Sequence, residues 1–118
     1  GNKTIDPDAF EKTTLAELNM PSEIVMRHRT PQFGHIFSSD EYSAGYYSYL
    51  WADVICADAY EAFTEAKGPY DKEVAKRLLK YVFSSGNTTD QGDAYRSFRS
   101  RDAKVDAMMR SKGFPIVK

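Results

Sequence analysis

The chain has 118 residues, 42% of them hydrophobic and 14% aromatic, which suits one folded domain and excludes a disordered segment. With 16 basic residues against 17 acidic ones the formal net charge is -1, so the basic footprint of a nucleic-acid or acidic-membrane binder is missing. Cys56 is the only cysteine, which excludes an internal disulfide; no apolar stretch is long enough to span a bilayer, and no secretory leader is read.

Asp6-Pro7 predicts the first helix start, because Asp accepts free backbone N–H groups and Pro loses nothing at the first helical position. That helix runs through Phe10, Leu15 and Leu18 and stops near Met20-Pro21, since a residue before proline avoids the helical region. The short apolar stretch Ile24 to Met26 leads into Arg27-His28-Arg29, and Thr30 to Gly34 reads as loop or extended chain. Ser38-Ser39-Asp40-Glu41 is a polar loop ending in helix-capping chemistry. The longest helix is expected from about Tyr42 to Lys67, stopped by Gly68-Pro69. Another fits Asp71 to Phe83, with Val74, Leu78 and Val82 on one face and Gly86 beyond its end. Two shorter helices fit Asp90 to Phe98 and Asp102 to Lys112, the latter turning Val105, Met108 and Met109 inward and stopping at Gly113. Period-two alternation is absent, so the expected class is all-α, about five helices with one long central helix.

On a helical wheel, Tyr42 to Phe63 carries two apolar stripes. One holds Tyr42, Tyr46, Tyr49, Asp53, Cys56, Tyr60 and Phe63; the other holds Tyr47, Leu50, Trp51, Val54, Ile55, Ala59 and Ala62. A surface helix needs one such stripe. A helix apolar nearly all round, apart from Asp53, Asp58 and Glu61, is normally buried in a larger protein, so surface to cover it is missing from this chain.

The chemical candidates are few. The zinc-peptidase signature His-Glu-x-x-His does not occur, and His28 and His35 lie seven apart with Pro31 between them, so they cannot pair as ligands on one helical face. Cys56 lies among apolar residues and reads as a buried structural thiol. His28, between two arginines, reads as part of a surface or salt-bridged basic cluster, with a functional role the alternative. His35, after a glycine and before the polar loop, is open to either reading. Tyr42, Tyr46 and Tyr49 read by spacing first as core aromatics and second as hydroxyl donors aimed at a peptide backbone or an oxyanion.

The stretch from Phe33 to Phe63, FGHIFSSDEYSAGYYSYLWADVICADAYEAF, resembles the M3 family of zinc metallopeptidases, of the peptidyl-dipeptidase, oligopeptidase A and thimet oligopeptidase type. The preceding RHRTPQF and the tail SSGNTTDQGDAYRSFRSRDAKVDAMMRSKGF extend the resemblance from Phe10 to Phe114, and Tyr49-Leu50-Trp51 looks slightly closer to the peptidyl-dipeptidase branch. One departure is the loop before Tyr42, where Ser38 to Glu41 replace the family's glycines and add a residue. The resemblance implies that the zinc ligands lie upstream and that residues 1–118 form a single helical C-terminal segment of the catalytic domain. On this basis His35, Tyr42, Tyr46 and Tyr49 would face substrate, with Tyr49 and Tyr42 stabilising the oxyanion in the complete enzyme. It implies zinc in the complete enzyme and none bound by this chain. It also implies a short peptide substrate, the missing N-terminal part of the polypeptide as partner, and a cytoplasmic setting. Self-association of the isolated chain is expected from its apolar face, with neither nucleic acid nor membrane as partner. The alternative is a non-enzymatic helical interaction module that keeps the family's shape.

Overall fold

The computed structural model describes residues 2–116 and is all helical among them, with seven α-helices, one 3-10 turn and one π turn. Two compact units divide it, the first running to Tyr46 and the second beginning at Tyr47.

In the first unit α1 spans Pro7–Glu17, and Asp6 caps it as expected, its carboxylate accepting from the N–H groups of Asp8 and Ala9. Its end is set before proline acts. Asn19 takes a left-handed conformation with φ 58°, its N–H donates to the Ala16 carbonyl, and the Met20 N–H donates to Leu15. This is the Schellman closure of a helix, with Asn where glycine is commoner. Arg29 pairs with Asp8 at 2.7 Å and Glu11 at 3.2 Å, tying the basic cluster to α1. The stretch expected to be loop contains a 3-10 turn, Thr30–Gln32, and a one-turn helix α2, Gly34–Phe37. After the polar loop, one-turn helix α3 spans Asp40–Ser43, with Ser39 extended and its hydroxyl accepting from the Glu41 N–H. Among the described residues of this unit none is buried.

The long helix is shorter than expected. Ala44 leaves the helical region at φ -127°, a turn follows, and α4 spans Ser48–Thr64. Gly45 belongs to that break: a Cβ there would meet the Glu41 carbonyl oxygen at 3.0 Å, and glycine in a helix interior costs about 1 kcal/mol relative to alanine. Tyr42, Tyr46 and Tyr49 therefore do not share one helix. At the other end α4 stops three residues early, and Gly68, at φ 107°, closes the turn by donating to the Phe63 carbonyl.

Helix α5 spans Lys72–Leu78, capped by Asp71 through the N–H groups of Glu73 and Val74, and continues into a π turn, Leu79–Phe83. Helix α6 spans Gln91–Arg99 behind its cap Asp90, and α7 spans Asp106–Ser111. Helix α7 starts four residues later than expected, because residues 101–104 turn toward Asp58 instead of forming a helical turn. Val105 is exposed, contrary to expectation; Ala107 is the buried residue of α7, with Met108 and Met109 half-buried.

The core of the second unit is small. Ala62, Val74 and Phe98 are buried together, with Ala59, Phe63, Leu78, Tyr81, Val82 and Tyr95 packed around them. The face predicted for α5, with Val74, Leu78 and Val82, is therefore the face that packs. Tyr47, just before α4, and Leu50, Trp51 and Tyr60 on it are exposed. Cys56 is exposed too, overturning its reading as a buried thiol: it lies in an open apolar groove beside Tyr60 and Phe63.

Candidate functional site

Three of the four sequence-derived site residues come together in the first unit. His35 on α2 lies 4.9 Å from Tyr42 on α3, ring centroid to centroid, and 5.9 Å from Tyr46 in the turn after it. Tyr42 and Tyr46 meet edge to face at 5.6 Å and 89°. Such perpendicular arrangements set the positive edge of one ring against the negative face of the next, which fixes ring orientation. The short helices make this possible: the Ser39 cap starts α3 one residue after Ser38 ends α2, and the break at Ala44 swings Tyr46 back over the pair.

Two further rings extend the cluster. Phe33 meets Tyr46 edge to face at 5.2 Å, and His28 stacks on Phe33 at 4.5 Å and 18°. Sequence reasoning placed Phe33 in a loop and His28 in a basic cluster. The Arg-His-Arg-Thr-Pro-Gln-Phe stretch, with an aromatic five residues after the histidine, was the available signal. Tyr49 belongs to the second unit, in the first turn of α4, half exposed at 52%.

The second unit holds a site that sequence reasoning passed over. The carboxylate of Asp58 is fully buried and accepts four hydrogen bonds. The Tyr95 hydroxyl donates at 2.5 Å and Arg99 Nε at 3.2 Å to Oδ2; Arg101 Nη1 donates at 2.8 Å and the Lys104 backbone N–H at 3.2 Å to Oδ1. Burial pushes the Asp58 pKa up, but the bonds from Tyr95, Arg101, Lys104 and Arg99 outweigh it and hold the carboxyl below its ordinary range. The same burial, with the bond to Asp58, raises the Tyr95 phenol. Glu61 and Glu65 follow on the same face of α4. Arg110 grips Glu61 through two bonds of 2.7 Å, and Arg99 grips Glu65 at 2.7 and 3.0 Å. Asp58 and Glu61, taken in the sequence as interruptions of an apolar helix, are the residues through which α4 engages α6 and α7.

The family description "Peptidase family M3" matches residues 5–114. The chain belongs to peptidase family M3. Oligopeptidase A of Escherichia coli (strain K12) is 38% identical over 103 residues, covering 85% of this chain and 15% of that protein. Oligopeptidase A of Salmonella typhimurium is 41% identical over the same length, with the same coverage. Dipeptidyl carboxypeptidase of Escherichia coli is 36% identical over 112 residues, covering 94% of this chain and 16% of that protein. The chain thus spans about 15% of the length of the curated relatives it matches. M3 peptidases are in general zinc-dependent. The residues here do not fit a zinc site: the sequence has no His-Glu-x-x-His, and no group of three or more His, Cys, Asp or Glu that could hold a metal occurs among the described residues. No helix among them is long and apolar enough to cross a membrane.

Proposed function

We propose that this M3 chain is the substrate-binding, C-terminal part of a zinc-dependent peptidase that hydrolyses short peptides, of the oligopeptidase A or dipeptidyl carboxypeptidase kind. The observation that carries this reading is the His35–Tyr42–Tyr46 cluster, assembled from three successive short elements in a chain of a peptidase family. Imidazole and phenol groups on stiff rings offer hydrogen bonds to a peptide backbone at low cost in side-chain entropy. His35 and Tyr46 bind the peptide in this reading. Tyr49, with Tyr42, donates to the scissile carbonyl oxygen as it gains negative charge, and such a donor counts most in the transition state.

The metal ligands and the glutamate base belong to residues outside this chain, so the chain alone neither holds zinc nor cleaves peptides. Its partner is then the remaining part of the same polypeptide, and the cytoplasm is the expected compartment. A non-enzymatic interaction module is the competing reading, favoured by the exposed apolar face of α4.

Steady-state kinetics of the complete polypeptide on one quenched-fluorescent peptide separates the two. Tyr49→Phe is expected to lower kcat by about 100-fold or more while KM moves little. His35→Ala is expected to raise KM at least as much as it lowers kcat. The pure 118-residue chain is expected to show neither stoichiometric zinc nor chelator-sensitive cleavage. An unchanged kcat in Tyr49→Phe, or cleavage by the isolated chain, defeats the reading.

A further inference from the structure

Phe33 closes the 3-10 turn Thr30–Gln32 and opens α2. Its N–H donates to the Thr30 carbonyl at 3.4 Å, and its own carbonyl accepts from the N–H groups of Ile36 at 3.0 Å and Phe37 at 3.4 Å. Pro31, with its φ locked, stiffens the turn behind it. The Phe33 ring is half-buried on this anchored backbone, and His28 lies almost parallel to it, 4.5 Å away at 18°. Tyr46 stands in the turn that follows the break at Ala44. Phe33 meets it edge to face at 5.2 Å and 79°, closer than Tyr42 at 5.6 Å or His35 at 5.9 Å. His35, Tyr42 and Tyr46 each carry a polar atom that a peptide backbone can meet. The Phe33 side chain carries none, so it cannot bind a backbone itself.

From these contacts we infer that Phe33, with His28 stacked on it, is a positioning residue for peptide binding: it sets the tilt of the Tyr46 ring and with it the direction of the Tyr46 hydroxyl. The inference rests on the proposed peptide-binding role of Tyr46. The link is direct, ring on ring, and adds to whatever else Tyr46 touches. An edge-to-face pair constrains the tilt of both rings, because the positive edge of one seeks the negative face of the other. Of the two rings, Phe33 is the one whose backbone is fixed on both sides by the turn and by α2. The Tyr46 hydroxyl stands at the far end of its ring, so a small change of tilt takes it out of the narrow range of a good hydrogen bond. Tyr46 is read as gripping the peptide before and during the reaction, so the loss falls on KM and leaves kcat nearly untouched.

The test is a double-mutant cycle in the complete polypeptide, with KM and kcat read on one quenched-fluorescent peptide. Tyr46→Phe, which removes the hydroxyl and keeps the ring, is expected to raise KM by about fivefold. Phe33→Leu removes the ring and keeps an apolar side chain; it is expected to raise KM by about fivefold with kcat within about twofold. Phe33→Tyr restores a ring and is expected to hold KM within about twofold of the parent. In the Tyr46→Phe background, Phe33→Leu is expected to move KM by less than about twofold, because no hydroxyl is left to misdirect. An equal rise in both backgrounds would mean that Phe33 supports the fold or meets the peptide itself, and would overturn the inference while the role of Tyr46 stands. So would Phe33→Tyr losing as much as Phe33→Leu. Where Phe33→Leu does not fold, His28→Ala at the exposed end of the row decides. It is expected to raise KM by about threefold in the parent and to leave it level in Tyr46→Phe, and an unchanged KM in the parent overturns the inference. If Tyr46→Phe alone leaves KM unchanged, the peptide-binding reading of Tyr46 fails, and the inference with it.

Discussion

Burying a carboxylate costs several kcal/mol unless donors replace the lost water, and removing one partner from a satisfied buried pair costs about 3–5 kcal/mol. Asp58 with Arg99 belongs to that class, both side chains being almost wholly buried. Lys76 with Glu73 does not: both are about three-quarters exposed, and such surface pairs contribute about 0–1 kcal/mol. The stability of the second unit should therefore follow the ionisation of its arginine-paired carboxylates, the buried Asp58 above all and the exposed Glu65 to a lesser degree. Asp58 is held below its ordinary 3.8 despite burial, and Glu65 below 4.5 chiefly by the hydrogen bond from Arg99. Lowered folded-state values mean that the unfolded chain binds more protons on acidification. The contribution is complete above the ordinary values and lost as pH falls through the folded ones. The thermal midpoint, followed by circular dichroism, is expected to stay level from pH 7 to about 5 and to drop below about 4. Asp58→Asn, where it folds, should flatten that drop; a midpoint insensitive to acid would contradict the ionic character of the Asp58 cluster. None of this was legible in the sequence. Asp58 finds its donors 37 to 46 residues away, and nothing local to Asp58-Ala59-Tyr60 marks it as a buried charge.

Three helix starts were legible because they are local: Asp6, Asp71 and Asp90 each accept from N–H groups two or three residues on, and each stands where its sequence context puts it, whereas α4 and α7, which have no side-chain cap, start later than expected. Helix interiors were harder. The apolar run from Tyr42 onward looked continuous because side-chain periodicity carries no record of one residue leaving the helical region, as Ala44 does beside Gly45. The ring cluster was half legible for the same reason, since its members were named but assigned to one helix and one loop. The helix itself ends three residues before its expected stop, but the glycine that closes the turn after α4 was placed correctly at Gly68, for a reason that can be isolated. Gly68 has φ 107°, and no heavy atom outside its own chain neighbours lies within 4 Å of a Cβ added there, so Gly68→Ala introduces backbone strain without a clash. Such strain costs about 1–3 kcal/mol. For a unit this small, each kcal/mol corresponds to about 4–8 °C. Gly68→Ala is expected to lower the melting midpoint by at least about 4 °C, while the exposed neighbour Lys67→Ala leaves it within about 2 °C. Equal midpoints for all three proteins would show that the turn does not need glycine.

At the scale of the whole molecule the decisive contrast is between apolar residues present and apolar residues covered. The sequence is 42% hydrophobic, yet the buried hydrophobics are Ala62, Val74, Ala94, Phe98 and Ala107, all in the second unit, and four of the five are Ala or Val. Burying a Phe or Leu fully contributes about 1.5–3 kcal/mol, and here Leu50, Trp51, Tyr60, Leu79 and Phe83 remain exposed. Two adjoining grooves of about 580 and 430 Å³ run along α4 and share Ile55, Val82 and Tyr95, the first lined also by Trp51, Val54 and Tyr81, the second by Cys56, Ala59, Tyr60 and Phe63. Exposed apolar patches of this kind commonly mark interaction surfaces, and the chain spans about 15% of the length of the relatives it matches. The isolated chain should behave accordingly. Hydrogen exchange is expected to protect amides of α4 and α6, the helices that frame Phe98 and Asp58, while those of α1 to α3 exchange close to the rate of an open chain, since no described residue there is buried. The same sample is expected to bind a hydrophobic dye and to sediment as more than a monomer as concentration rises. Trp51→Glu, which sets a charge in the larger groove, should weaken both signals without removing the protection of α6. A dye-silent monomer at high concentration, with α1 as well protected as α6, would mean that the chain completes its own core and needs no further surface.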